Sequence, residues 1–361
     1  MRRQSLAGNC FGLLAATCAS SIPAPASAQP ATAADAVLRV VDIGAGLCVV
    51  ITAPGGGAMV YDAGPKGDRC AAVVREMVPG HALDLVVLSH SDSDHIGGMR
   101  RILKDNRVVR IIHPGDDHSF KRPPNGKAYL ELMREDIVNE GAQVWNLADP
   151  STPPAPGRRF TIGAASATFV AGWSDGKATR HANEGSLPEG PRNNALSIVI
   201  RFEFRGHSVL LTGDTVGRLD FTPPATCAYA ERVMVERAAT VPIRSDVLVG
   251  QHHGADNASS NCFIGAVRPS HVVFSAGHVV KYHHPRQSAY DRFLHFNSSI
   301  HLLRTDRGDN EGGTGPSQEA VQGSGNCPDP VGDDDVEIIL PGQQGQQVHV
   351  DYRGSGHACP T

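Results

Sequence analysis

Four side chains of the types that bind metal ions, His90, Asp92, Asp94 and His95, lie within six consecutive residues. In an extended segment the first three would point to the same side, and the serines between them are too small to crowd a metal. The set has too many imidazole and carboxylate groups for one structural tetrahedral zinc, and it favours two adjacent metal ions. An EF-hand is excluded because Ile96 offers no oxygen ligand after the two aspartates. A solvated polar loop is the alternative that this motif alone leaves open.

Other histidines and acids follow apolar segments in the same way. The apolar run at residues 83–88 leads directly into His90, and comparable runs lead to Asp214, His253 and His284. Each of the later three is weak evidence alone, because turn residues and solvated histidines are common on protein surfaces. Together they place candidate ligands at the ends of several strands, as a metal site at the edge of a sheet requires.

The segments that would position these side chains alternate between strands and helices, which predicts an α/β sandwich. Strands are indicated by apolar or alternating runs bounded by turn residues, and helices by apolar residues at helical spacing. Residues 172–192 are polar and rich in Gly, Pro and Glu, which predicts a surface loop. The predicted strands cover 37–44, 47–52, 59–62, 83–88, 108–113, 143–147, 197–204, 207–211, 247–250, 271–274, 336–340 and 347–352, the last two as a hairpin. The predicted helices cover 70–78, 96–104 and 127–139.

The N-terminal segment has the layout of a secretory signal peptide. Two arginines precede a short apolar run at residues 11–16 and an A-x-A cleavage site at residues 26–28. The run is too short to span a bilayer, and a lipoprotein anchor at Cys18 is the second interpretation. We therefore expect a periplasmic or secreted protein with no transmembrane segment after residue 28. Loss of the two arginines changes the formal net charge from −4 to −6, which gives no general attraction to nucleic acid.

Cysteine usage agrees with export. An even number remains after residue 28, and no C-x-x-C motif is present, so disulfides are favoured over metal thiolates. Spacing does not select one pairing, but Cys227 with Cys262 and Cys327 with Cys359 would each bracket one irregular region. The remaining cysteines are Cys48, Cys70, Cys227, Cys262, Cys327 and Cys359.

Taken together, the motifs resemble the metallo-β-lactamase superfamily, and within it the extracytoplasmic hydrolase domain of the DNA-uptake channel ComEC and its soluble relatives. Asp92, where most members carry histidine, points to the ComEC-like branch. The resemblance implies a metallo-β-lactamase-type four-layer αβ/βα sandwich over residues 29–307. The segment 308–361, with its final hairpin, would pack on the same domain. The matching segments are 41–46, 61–64, 90–98, 193–197, 210–214, 252–254, 282–285 and 304–306.

The resemblance also implies a role for each ligand. His90 and Asp92 would hold a first metal ion, and Asp94 and His95 a second. Asp214 would bridge the two ions, and both Asp94 and Asp214 would be essential for turnover. The expected cofactors are two divalent ions, most simply Zn2+, with Mn2+ as the alternative because Asp92 makes the first site harder.

Several histidines have implied roles that stay open at this point. His284 would complete the second metal site. Either His252 or His253 would complete the first site or contact the substrate, since Asn194 or Ser197 stands near the place where many members of the superfamily supply a histidine. His253 or His283 would protonate the leaving group.

The function expected from this resemblance is that of an exported binuclear hydrolase, in which a hydroxide held between the metals attacks the substrate. A phosphodiesterase acting on a small molecule or on nucleic acid is the leading hypothesis. A carboxylic ester, lactone or amide hydrolase is the second. A protein that retains metals without turnover is the third. The substrate, the metal and the oligomeric state are not determined by the sequence.

Overall fold

The computed structural model of the chain describes residues 31–32, 34–80, 82–114, 141–147, 155–172, 180–181, 185–187, 189–218, 225–277, 282–306 and 334–353. The predicted signal peptide, the predicted helix 127–139 and the predicted Cys327–Cys359 pair lie outside these ranges. Within them, the helices are all too short or too polar to cross a membrane.

The strands within the described ranges follow the predicted segments closely, and several further strands are present, including one of seven residues over 165–171. They are β1 (Ala36–Val40), β2 (Val49–Ala53), β3 (Gly57–Tyr61), β4 (Leu85–Val87), β5 (Arg110–His113), β6 (Gln143–Asn146), β7 (Arg159–Ile162), β8 (Ala165–Ala171), β9 (Arg180–His181), β10 (Gly185–Ser186), β11 (Val199–Phe204), β12 (His207–Leu211), β13 (Val247–Val249), β14 (His271–Phe274), β15 (His301–Arg304), β16 (Val336–Leu340) and β17 (His349–Tyr352).

The described helices are short and lie mainly between strands. They are α1 (Arg69–Met77), α2 (Ser93–Ile96), α3 (Met99–Asp105), α4 (Glu189–Ala195), α5 (Tyr229–Arg237), α6 (Asn261–Val267) and α7 (Gln287–Phe296), with a 3-10 turn at Gln251–Gly254.

The strands form two large mixed sheets, which confirms the predicted α/β sandwich. One sheet has the order β17-β16-β1-β2-β3-β4-β5-β6, and the other has the order β15-β14-β13-β12-β11-β8-β7. In each sheet the strands that precede the candidate ligands are parallel, for example β3 with β4 and β12 with β13. Parallel strands end at the same edge, so the residues that follow them are brought together.

The sheets and helices pack as layers, with two separate apolar cores between them. One core joins inner-face side chains of both sheets, such as Tyr61 and Phe202, with apolar side chains from the helices of the second sheet. The other lies between the outer face of the first sheet and helices α1 and α3. Strands such as β3 and β4 are buried at every position because both faces are covered, which explains their continuous apolar sequences.

The C-terminal hairpin joins the first sheet over a long sequence distance. β16 pairs antiparallel with β1, with Leu38 opposite Ile338, and β17 pairs with β16. The predicted hairpin is therefore present, and it extends the sheet beyond the N-terminal strand. The predicted domain boundaries themselves stay predictions.

Two predictions of local structure were wrong. The single helix expected over residues 96–104 is split into α2, which begins at Ser93, and α3, which begins at Met99. Asp94 therefore lies in a helical turn and not in an extended segment. A close approach explains the early turn: a Cβ at position 97 would lie 2.3 Å from the backbone nitrogen of Lys66, so only glycine lets the turn pack there. The polar region 172–192, expected to be a loop, contains the start of α4.

Two disulfides are present among the described cysteines. Cys227 is bonded to Cys262, which confirms that predicted pair. Cys48 is bonded to Cys70, a pair that spacing had not selected. This bond links the residue just before β2 to α1, and Sγ of Cys70 lies 3.9 Å from the backbone oxygen of Asp62.

Candidate metal centre

The first candidate ligand, His90, stands two residues beyond β4 and is completely buried. Ser89 donates its hydroxyl hydrogen to Oδ2 of Asp62 over 2.6 Å. The same Ser89 oxygen lies 3.0 Å from Nδ1 of His90 and, having no second hydrogen, accepts one from that nitrogen. The Nε2 atom of His90 is therefore left with its lone pair, and no described group hydrogen-bonds to it.

Asp62 is a buried carboxylate that organises the centre without belonging to the predicted ligand set. Besides the Ser89 hydroxyl, it accepts the backbone N–H of Ser89 over 2.7 Å. Its Oδ2 atom also lies 2.8 Å from Nδ1 of His95, which must donate because an ionised carboxylate only accepts. The ligand motifs in the sequence did not predict this role for Asp62. The only sign of this role in the sequence was that Asp62 directly follows an apolar strand, within one of the segments that resemble the metallo-β-lactamase superfamily.

Asp94, His95 and His253 form one compact ligand group, with one ligand atom from each within 4.8 Å of the others. Nδ1 of His253 donates to the carbonyl oxygen of Ser275 over 2.7 Å, which turns its Nε2 toward the cluster. There the Nε2 atoms of His253 and His95 lie 3.2 Å apart. Burial alone would lower the pKa of His95, but the carboxylates of Asp214 and Asp62 raise that pKa well above its usual value. Surroundings that stabilise a proton at this point also stabilise a metal cation.

Asp214 lies between the ligand groups, at the end of β12. It forms a second compact group with His90 and His95, and its carboxylate is 3.2 Å from Nε2 of His95 and 3.8 Å from Nε2 of His90. Burial would raise the pKa of Asp214, but the neighbouring imidazoles, His253 first, hold it well below its usual range. The turn needs glycine at position 213, where φ is 52° and a Cβ would lie 2.7 Å from the Cβ of Ser89.

The residues present fit a pair of divalent cations. Three histidines commit Nδ1–H to an oxygen of the protein and direct Nε2 to one place. Carboxylates of three aspartates face the same place, and His90 Nε2 and Asp214 Oδ1 are buried without a hydrogen-bond partner among the described groups. Nitrogen and oxygen ligands with oriented imidazoles are the donor set of zinc and manganese sites. The residues concerned are His90, His95, His253, Asp92, Asp94 and Asp214.

Asp92 and Asp94 stand at the open side of this cluster. Their side chains are 49% and 40% exposed, whereas the side chain of Asp214 is 5% exposed. Asp92 lies 3.7 Å from Nε2 of His90, and Asp94 lies 3.7 Å from Nε2 of His253. A substrate would therefore reach the cluster from the side of these two carboxylates.

His252 lies beside the cluster, and both of its ring nitrogens are hydrogen-bonded. Its Nδ1 donates to Oδ1 of Asn257 over 2.8 Å, and its Nε2 accepts from Nδ2 of Asn194 over 3.1 Å. Burial lowers the pKa of His252, so this ring is neutral. Nε2 of His252 is 3.7 Å from Asp214. The other amide atom of Asn194, Oδ1, is buried and has no partner among the described groups.

The two histidines of the last predicted motif differ in position. The ring of His284 lies 5.4 Å from that of His252 and 6.1 Å from that of His253, but His284 belongs to neither compact ligand group of the described residues. Burial and the neighbouring imidazoles lower the pKa of His284 to about 2. His283 has φ 55° and makes no ring contact or ion pair with the described ligand residues. Metal binding by His284 and proton transfer by His283 stay predictions.

Comparison with protein families gives a match over most of the region just described. Residues 41–252, more than half of the 361-residue chain, match the model of the metallo-beta-lactamase superfamily. The match extends from the end of β1 to His252, and so includes the first ligand motif, Asp62 and Asp214.

The chain is also similar to individual proteins. It is 27% identical over 227 residues to ComE operon protein 3 of Bacillus subtilis, covering 62% of this chain and 24% of that protein. It is 27% identical over 274 residues to competence protein ComA of Neisseria gonorrhoeae, covering 75% of this chain and 31% of that protein. The matched region thus spans only about a quarter to a third of these relatives. Among solved structures, the metallo-beta-lactamase fold protein YhfI of Bacillus subtilis aligns with a TM-score of 0.41 at 12% identity, covering 74% of this chain and 95% of that one.

Proposed function

Because the chain belongs to the metallo-β-lactamase superfamily, we propose that it is a metal-dependent phosphodiesterase that works outside the cytoplasm. The observation that carries the proposal is the convergence of three imidazole Nε2 atoms and three carboxylates at the ends of parallel strands. The two disulfides support the proposal of a location outside the cytoplasm, because disulfides persist in oxidising compartments.

The substrate class is proposed from the relatives and the site together. One of them is named as a competence protein and another as a protein of the ComE operon, and the motifs resemble the hydrolase domain of a DNA-uptake channel. A phosphodiester is an anion, and a pair of divalent cations is suited to it. We therefore place a phosphodiester, of nucleic acid or of a small molecule, ahead of a carboxylic ester.

The chain's own residues would divide the work as follows. His90, Asp92 and Asp214 would hold one cation, and Asp94, His95 and His253 the other. Such cations supply Lewis acidity, which activates water at neutral pH and stabilises negative charge on the attacked group. Asp62, through Ser89 and His95, keeps the imidazoles in the tautomer that presents Nε2.

A proton must reach the leaving group, and the sequence offers two histidines for this step. His253 has Nδ1 committed to Ser275 and Nε2 in the ligand cluster. We therefore assign the leaving-group proton to His283, which is half-buried in the segment between β14 and α7, next to His284.

The test is to measure bound metal by elemental analysis together with hydrolysis of bis(p-nitrophenyl) phosphate and p-nitrophenyl acetate. We expect about two metal ions per chain and cleavage of the phosphodiester. Asp214→Asn should reduce this cleavage by roughly 100-fold or more. Asp105→Asn is the matched control, because Asp105 forms only ion pairs with Arg75 and Arg101 on helices α1 and α3.

The outcomes separate the three hypotheses. Cleavage of the acetate alone would replace the phosphodiesterase with a carboxylic ester hydrolase. Two bound metals without hydrolysis of either substrate would favour a metal-retaining binding protein. Absence of metal after reconstitution of a folded protein would overturn the proposed centre.

A further inference from the structure

The rings of His253, His284 and Tyr282 follow one another from the ligand cluster outward, in an arrangement that we call the column. The ring of His253 is 6.1 Å from that of His284 at an interplanar angle of 25°. The ring of Tyr282 continues this column, 5.8 Å from His284 at 26°. The column therefore runs in two steps from a residue of the ligand cluster to Tyr282.

Exposure increases along the column. His253 is 8% exposed, whereas Tyr282 is 49% exposed. Tyr282 is one of four large apolar side chains that are exposed among the described residues, and it belongs to neither apolar core. Tyr282 therefore presents an aromatic surface to solvent close to the ligand cluster.

A flat, half-exposed ring beside a hydrolytic centre suits one class of ligand in particular. Nucleobases stack on aromatic side chains with little dependence on sequence, because every base has a π-face. A ring two steps from the ligand cluster would meet a group attached to the phosphate that is being cleaved. A phosphodiester with only aliphatic substituents would gain little from such a ring.

We propose that Tyr282 is a specificity-determining residue that stacks on the nucleobase next to the scissile phosphate. The inference rests on the proposed function and narrows it, because it selects nucleotide phosphodiesters. Tyr282 would act on binding and not on the chemical step, since its hydroxyl is not required for stacking. The same contact would accept any of the four bases.

The experiment compares two ligands that differ only by the base. Calorimetry on the full, metal-loaded protein gives the Kd of thymidine 5′-monophosphate and of deoxyribose 5-phosphate, without any need for turnover. We expect the wild type to bind the nucleotide about 5- to 100-fold more tightly. Tyr282→Leu should bring the two constants to within about twofold, and Tyr282→Phe should keep the preference. Phe296→Leu is the control, because Phe296 is also an exposed aromatic residue, 44% exposed, at the end of α7.

The results separate this inference from the proposed function. Equal binding of the two ligands by the wild type would overturn the stacking role, whatever the protein hydrolyses. So would a preference that survives in Tyr282→Leu, or a loss of both ligands together, which would indicate a structural role. Failure of the proposed function would show instead in the hydrolysis assay, while the preference for the nucleotide would still be measured here.

Discussion

Oδ2 of Asp62 lies 2.8 Å from Nδ1 of His95, and both side chains are completely buried. This contact joins the end of β3 to the helical turn that carries two candidate ligands. A buried carboxylate that receives Nδ1–H of a ligand histidine fixes the tautomer and the orientation of the ring. The hydrogen bonds of Ser89 to the same carboxylate extend this control to His90.

We predict that Asp62→Asn weakens metal binding by about 10- to 100-fold, because the neutral amide no longer fixes His95 as a donor at Nδ1. Competition with a chromophoric chelator measures the affinity. Asp84→Asn is the matched control, since Asp84 accepts a hydrogen bond from Ala58 away from the ligands. Unchanged affinity in a folded Asp62 variant would show that His95 is oriented by other contacts.

The disulfide between Cys48 and Cys70 closes a loop of 22 residues and links the residue just before β2 to α1. Replacement of both cysteines by alanine should lower the free energy of unfolding by about 3 kcal/mol, because the unfolded chain regains loop entropy. Urea unfolding of the oxidised proteins measures the difference. The Cys227→Ala and Cys262→Ala pair, which opens a loop of 35 residues, should cost a similar amount. A loss well below 1 kcal/mol would contradict the entropic estimate.

Gln251 precedes the two histidines of the 3-10 turn and is completely buried. Its Nε2 donates to Oγ1 of Thr215 over 2.9 Å, and its Oε1 accepts from the hydroxyl of Ser259 over 3.1 Å. Gln251→Leu leaves these polar groups unpaired, so it should lower the free energy of unfolding by about 1–3 kcal/mol. Metal affinity should also fall, because Thr215 adjoins Asp214.

The matched substitution is Gln287→Leu, at the start of α7, where the amide of Gln287 bonds only to Asp291. We expect this variant to differ from the wild type by less than about 0.5 kcal/mol. Thermal and urea unfolding, with chelator competition, provide both measurements. Equal effects of the two glutamine variants would refute a special role for Gln251.

The ionisation of Asp256 makes the free energy of unfolding depend on pH below about 4. Burial opposes its ionisation, but hydrogen bonds from Ser288 and Arg292 lower its pKa to about 2, from an ordinary value of 3.8. A depressed folded-state pKa stabilises the fold above the ordinary value, and this stabilisation is lost as pH falls from about 4 to about 2. Since the carboxylate is partly exposed, screening reduces the contribution to about 1 kcal/mol.

Urea unfolding of the wild type and of Asp256→Asn between pH 6 and pH 2.5 tests this prediction. The wild type should be more stable at pH 6, and the difference should shrink steadily below pH 4. A difference that stays constant over this range would mean that the Asp256 carboxylate is not the group that titrates.

The pattern of neighbouring residues was sufficient to predict those parts of the molecule that are built from residues close together in the sequence. The buried strands β3 and β4 were visible as apolar runs, because burial on both faces requires apolar side chains at every position. The cluster from His90 to His95 was predictable for a different reason: a few consecutive residues after one strand necessarily lie close together. The Cys227–Cys262 pair was inferred from the irregular segment between its cysteines, and the structure contains it.

The contacts between distant segments were decided only by the tertiary structure. The order of the sheets brings Asp62 to His95, His253 to Asp94 and β16 to β1, and no spacing along the chain encodes that order. The early helical turn at Ser93 depends on Gly97 meeting the backbone of Lys66, which is likewise a contact between separate segments. The amino-acid sequence alone therefore determined which side chains could bind metal. The fold determined which of them meet, because close approach of remote groups depends on how whole sheets and helices pack.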